Sequence, residues 1–173
     1  LPSYASLMLP QLDYTTFAGH TAYVYRPGTS PEASRAVLLN LWASWCGPCM
    51  KELAELGQQQ QQLRDAELDI LALSVDALDD DDTSTIQTAQ KRLKELGFPF
   101  PAGMATDATI EKLQMLHDHL FELHHPLPVP TSFLIDSLGG EVRLKQHRPE
   151  RKEIVFRTDA PWEGNSTAYH TVF

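Results

Sequence analysis

The sequence predicts an α/β fold built on a central mixed β-sheet flanked by helices. Three observations lead there. Ala36–Ala43, AVLLNLWA, is a nearly continuous apolar run of strand length, the mark of a strand buried on both faces. A helical pattern and then a second buried run, Leu68–Val75, follow it, and strand, helix, strand in that order implies a right-handed parallel crossover. Thr131–Asp136 and Glu141–Lys145, joined by Gly139-Gly140, read as an antiparallel hairpin, which makes the sheet mixed.

The remaining elements follow in chain order. The first twenty residues, punctuated by Pro2, Pro10 and Gly19, form an entry segment that meets a short β pattern at Thr21–Arg26, with a loop over Pro27–Ser34. Met50, Leu53, Leu56 and Leu63 recur at near-helical spacing behind Pro48, a residue tolerated in a first turn, so a helix is expected from about Gly47 to Arg64. The glutamines Gln58–Gln62 form an exposed face of that helix. Asp76 and Asp79–Asp82 lack the alternating ligand spacing and turn glycine of a calcium loop; they read as a solvated loop feeding a helix N-terminus, where acidic groups suit the dipole. That helix runs over Thr83–Leu96 and stops at Gly97, with Pro99 and Pro101 beyond. Another is expected over Thr106–Leu123, capped by Thr106 or Asp107, with Ile110, Leu113, Leu116 and Leu120 on one face.

Length and charge limit the function classes. A chain of 173 residues can bury one sizeable core without cross-links. Its 14 Lys+Arg against 23 Asp+Glu, a net charge of -9, are ill suited to phosphate backbones or anionic membranes, so nucleic acid is not an expected partner. Hydrophobic residues make up 42% but fall in short runs, none near the roughly 18 apolar residues of a membrane span, so this segment is not expected to insert stably. From Leu1 there is no basic, apolar and small-residue leader; an export signal was removed or never existed, and the sequence leaves both open.

The 2 cysteines, Cys46 and Cys49, lie at the junction of the first buried strand and its helix. At a helix N-terminus the sulfur of Cys46 meets unpaired N–H groups and the positive end of the dipole, which favour thiolate over thiol. Cys46 is therefore the expected nucleophile, and Cys49, one turn inside, the residue that resolves the mixed disulfide. Gly47 leaves Cys46 accessible, Pro48 fixes the first-turn backbone, and Trp45 flanks the sulfur as an apolar wall. Structural zinc is the competing reading. Zinc usually takes two such cysteine pairs, there is no second pair, and His117, His119, His124 and His125 would have to complete the site, so no metal is expected.

Asn40-Leu-Trp-Ala-Ser-Trp-Cys-Gly-Pro-Cys-Met-Lys-Glu52 resembles the active-site segment of the thioredoxin superfamily, and more narrowly of its TlpA/ResA-like extracytoplasmic branch. Val129-Pro130-Thr131-Ser132-Phe133-Leu134-Ile135-Asp136 is similar to the segment that carries the superfamily's cis-proline. The resemblance implies a thioredoxin-like fold with a helical insertion before the cis-Pro loop. It also implies that Pro130 is cis, shields the dithiol from metal and exposes the Val129 backbone for β-like pairing with a substrate. A trans edge-strand proline is the alternative that residue type alone allows. Asn40 stands where thioredoxin keeps a buried acid, and Glu52 matches a glutamate that ResA-like proteins use for proton transfer at the thiols. Glu52 is thus a candidate base with a raised pKa for Cys49, set against an ordinary surface glutamate near a helix start.

The implied function is a thiol–disulfide oxidoreductase that reduces protein disulfides through a Cys46/Cys49 cycle, draws electrons from an upstream thiol reductant, needs no cofactor, works as a monomer and is periplasmic, exported or membrane-tethered. Two rivals differ in class. A peroxiredoxin-like thiol peroxidase shares the fold but needs a threonine three residues before its cysteine, where this chain has Ala43. A copper-binding carrier would use Cys46, Cys49 and the histidines. The resemblance spans about Leu9 to Lys145, so residues 1–147 are expected to form the thioredoxin-like domain. Residues 148–173, ending in DAPWEGNSTAYHTVF with a sequon at Asn165-Ser166-Thr167, form an extension unexplained by it. The stretch His117–Pro128 is longer than the usual approach to the proline loop, and a structural or partner-facing role is expected for its histidines.

Overall fold

A computed structural model describes residues 11–24, 35–78, 83–121 and 126–135. Its centre is β3 (Ala36–Trp42), pairing parallel with β4 (Leu68–Ser74) and antiparallel with β6 (Thr131–Ile135). With β1 (Asp13–Thr16), β2 (Thr21–Tyr23) and β5 (Ala102–Ala105) they form one mixed sheet in the order β2-β1-β5-β4-β3-β6. Strand alternation sorts the core into two layers. Leu39 and Leu41 point with Leu71, Leu73, Phe133 and Ile135 toward Leu113 and Leu116 of α4 (Asp107–Phe121). Trp42 and Ala72 point the other way, toward Cys49 and Leu53 of α1 (Gly47–Gln58) and Ala89 and Leu93 of α3 (Thr83–Leu96). The apolar run of β3 thus meets helices on both faces, the sandwich its composition predicts. No described helix is long and apolar enough to cross a membrane.

The helix expected over Gly47–Arg64 is instead two, α1 and the short α2 (Gln60–Asp65). At the break the Gln59 N–H is shared between the carbonyls of Glu55 and Leu56, a tightening into 3-10 geometry. Gly57, a poor helix former, sits just before it, and an added Cβ there would meet Pro99 Cδ at 3.4 Å. α3 keeps its expected bounds and ends at Gly97, whose φ of +61 closes the helix while the Phe98 N–H reaches the Leu93 carbonyl. Thr106 is the cap of α4, accepting the Thr109 N–H at 3.2 Å.

Two strands were not expected. β1 lies in what reads as an entry segment, because Asp13–Thr16 is four residues with no apolar alternation; β5, AGMA, has little β propensity of its own. Both are held by sheet neighbours, β1 between β2 and β5 and β5 between β1 and β4, with Tyr14 opposite Ala105 and Thr16 opposite Gly103. Buried Thr109 fixes β1 to α4 by accepting the Asp13 N–H at 3.1 Å and donating to its carbonyl at 2.7 Å. Gly103 permits the approach: a Cβ there would stand 2.5 Å from the Thr15 carbonyl oxygen and 2.8 Å from the Tyr14 ring. Gly103→Ala should therefore cost about 1–3 kcal/mol, as overpacking does, read as a lower urea midpoint with an unchanged slope. The hairpin's second strand Glu141–Lys145, the loop Pro27–Ser34, Asp79–Asp82, the end of the His-rich stretch, and residues 148–173 lie outside the described residues.

Candidate active site

β3 ends at Trp42, and the chain turns at once: the Cys46 N–H closes on the Ala43 carbonyl at 3.1 Å, and α1 starts at Gly47. Cys46 is the N-cap, extended at φ -87 and ψ 102, a position usually held by Ser, Thr, Asp or Asn. Its sulfur takes the cap's role, accepting the Cys49 N–H at 3.2 Å. Pro48 occupies the first turn, where its missing N–H leaves nothing unsatisfied. The two sulfurs are bonded at 2.07 Å. Cys49 is fully buried while Cys46 keeps 5% exposure, so an approaching group reaches Cys46 first. Trp45 stands 71% exposed at the rim, Gly47 and Pro48 are exposed beside it, and a Cβ on Gly47 would touch nothing.

Opposite the cysteines, the Val129–Pro130 peptide is cis and the Val129 carbonyl oxygen lies 3.7 Å from Cys46 Sγ. β6 begins at the next residue, so the sheet itself carries this loop to the dithiol. Its register has a second consequence. Asn40 of β3 pairs with Ser132 of β6, and the Asn40 Nδ2 donates to Ser132 Oγ at 2.9 Å. Ser132 Oγ in turn donates to Glu52 Oε1 at 3.4 Å. Glu52 is half-buried on α1, at the end of a polar strip crossing an otherwise apolar layer, while Asn40 is fully buried at the other end.

One expectation is overturned here. Asp76, assigned to a solvated loop, is 5% exposed. Its carboxylate accepts the Ser44 N–H at 3.0 and 2.9 Å on its two oxygens, the Ser44 hydroxyl at 2.8 Å and the Ser74 hydroxyl. A buried carboxylate is stable only when so surrounded by donors. Its partners come from the end of β4 and the start of the cysteine turn, a convergence no local pattern displays. The one signal available was serine at 44 and 74, each polar at the end of an apolar run.

Of the histidines weighed as ligands, only His117 and His119 are among the described residues. His117 lies on α4 with Nδ1 3.8 Å from Asp118 Oδ1, and His124 and His125 are outside the described residues. Among the described residues no three His, Cys, Asp or Glu side chains converge as metal ligands would.

A family model described as AhpC/TSA family matches residues 29–145. The chain belongs to the AhpC/TSA family. The AhpC/TSA match runs from before β3 through β6 and so contains both the cysteine turn and the cis-proline loop. The chain is similar to the thiol-disulfide oxidoreductase ResA of Bacillus thuringiensis subsp. konkukian, 26% identical over 124 residues, 70% of this chain and 62% of the relative. ResA of Bacillus subtilis is 27% identical over 110 residues, 64% of this chain and 52% of the relative. The chain thus spans between about half and two thirds of the length of these curated relatives. Among solved structures, a thioredoxin family protein from Chlorobium tepidum, titled a thiol:disulfide interchange protein, superimposes with a TM-score of 0.58 at 21% identity, over 83% of this chain and 88% of that one. This AhpC/TSA member therefore has the thioredoxin-like fold that its two landmark segments imply.

Proposed function

We propose that the chain is a thiol–disulfide oxidoreductase that reduces protein disulfides with the Cys46/Cys49 pair. The observation that carries the reading is Cys46 as sulfur cap of α1, with the Cys49 N–H already directed at its Sγ. In the reduced protein the same donor and the helix dipole favour a Cys46 thiolate. That thiolate attacks one sulfur of a substrate disulfide; the substrate S–S bond breaks, and the departing thiolate takes a proton. Cys49, deprotonated, then attacks Cys46 Sγ, releasing the second substrate thiol and leaving the Cys46–Cys49 disulfide for an upstream thiol reductant to reopen. Val129 and Pro130 present backbone beside Cys46 for pairing with an extended substrate segment, and Trp45, Gly47 and Pro48 form the exposed rim it crosses.

Glu52 is the base for Cys49 in this scheme, held by Ser132 and through it by Asn40. Glu52→Gln should slow resolution of a preformed mixed disulfide by about 100-fold, the low end of general-base contributions, while leaving the first attack at Cys46 nearly unchanged. Stopped-flow release of substrate thiol checks this; equal slowing of both steps would remove Glu52 from the scheme. The likeness to ResA supports an extracytoplasmic place of work and protein substrates; our reading takes residues 1–147 as the redox domain, acting as a monomer, and 148–173 as an appendage. The peroxidase alternative is disfavoured because buried Ala43 carries no hydroxyl at the position three before Cys46.

Trapping tests the function. Cys49→Ala, exposed to extracts containing its partners, should accumulate mixed disulfides through Cys46 that dithiothreitol releases. Wild-type protein that reduces insulin disulfides no faster than free dithiothreitol, together with an empty trap, would refute the assignment.

A further inference from the structure

We propose that Asp76 is a positioning residue of the dithiol site whose buried negative charge keeps the Cys46–Cys49 couple reducing. The inference rests on the oxidoreductase reading and adds the direction in which the couple is poised. Asp76 is the one carboxylate in the buried set among the described residues. It grips the turn that presents Cys46: both its oxygens take the Ser44 N–H, one takes the Ser44 hydroxyl, and Ser44 is two residues before the nucleophile. The Ser74 hydroxyl donates to the carboxylate as well, and the Asp76 N–H returns a bond to Ser74 Oγ at 3.2 Å, which fixes the acid at the end of β4. Among the described residues no Lys, Arg or His stands within ion-pair distance of it. Its partners are dipoles, so the net charge is undiminished.

Two residues span at most roughly 7 Å of chain, so a carboxylate 3.0 Å from the Ser44 nitrogen lies within about a Debye length of the Cys46 backbone, and it is buried, where salt screens poorly. The disulfide is neutral, whereas the reduced pair carries a thiolate at Cys46. A fixed anion nearby disfavours only the charged form. It therefore raises the Cys46 thiol pKa, opposing the cap and the dipole, and moves the equilibrium of disulfide plus two glutathione with dithiol plus glutathione disulfide toward the disulfide. Two electrons pass from glutathione to the protein in that reaction, and one proton is released per thiolate formed.

The test compares wild type, Asp76→Asn and Ser74→Ala in glutathione buffers at a pH above the Cys46 pKa, with the thiolate followed by ultraviolet absorbance. Asp76→Asn keeps the shape and removes the charge. It should lower the Cys46 pKa and shift the equilibrium toward dithiol by about threefold to tenfold, tenfold being about 30 mV for a two-electron couple. Ser74→Ala keeps the charge and strips one donor from it, so it should move both readings the opposite way. Opposite signs from two substitutions on one hydrogen-bonded pair are not produced by loosened packing. The proposal is overturned if both variants shift the same way, or if neither moves the pKa or the equilibrium. Should Asp76→Asn not fold, the sign of the Ser74→Ala shift decides alone. Failure of wild type to reduce insulin would instead strike the oxidoreductase reading, whatever the variants do to the potential.

Discussion

Cys46→Ser will abolish disulfide reduction, with turnover of insulin falling at least about 1,000-fold to the uncatalysed background. Serine can still cap α1, since its hydroxyl accepts the Cys49 N–H as well as the sulfur does, so the fold should survive. The loss is chemical. A hydroxyl neither ionises near neutral pH nor exchanges with disulfides, and fully buried Cys49 cannot replace a nucleophile that faces the rim. A circular dichroism melt and an insulin turbidity assay on the same sample separate the two effects. A variant that melts normally and still reduces insulin would place the nucleophile elsewhere.

Phe133→Ala should cost about 3–5 kcal/mol of stability, at the upper end for a single core truncation. Phe133 is fully buried in β6 opposite Leu39, among Ile135, Leu41 and the α4 side chains Leu113 and Leu116. It lies three residues beyond Pro130, and the same strand carries Ser132 to Asn40 and Glu52. A cavity there loosens the strand that presents the proline loop, so activity should fall at temperatures where the protein is still mostly folded. Urea titration monitored by tryptophan fluorescence, run beside the insulin assay, checks both parts. A change below about 1 kcal/mol would mean that the site collapses around the smaller side chain.

The parts of this fold that a reader of the sequence can see are those with local causes. β3 and β4 announce themselves as apolar runs because both faces are covered. α3 displays its end in Gly97, and the cysteines display theirs by sitting between a strand and a helix. The parts that stayed hidden have partners far along the chain. β1 and β5 are each too short and too polar or small to register until Tyr14 meets Ala105 across some ninety residues. The candidate site divides the same way. Cys46, Cys49 and Glu52 stand within one helix and can be read by spacing, whereas Ser132 enters only through the β3–β6 register. Asp76 enters only because Ser44 and Ser74 converge on it.

Because the sulfur of Cys46 is itself the cap of α1, the redox couple and the folding equilibrium share one thermodynamic cycle. The free energy by which the folded protein favours its dithiol over its disulfide, relative to an unfolded chain with the same two cysteines, must equal the difference in unfolding free energy between reduced and oxidised forms. Every interaction at the cap is therefore counted twice, once as potential and once as stability. The gap between two melting curves, one recorded in dithiothreitol and one without, measures how far the fold has moved its own dithiol from the potential of a free peptide.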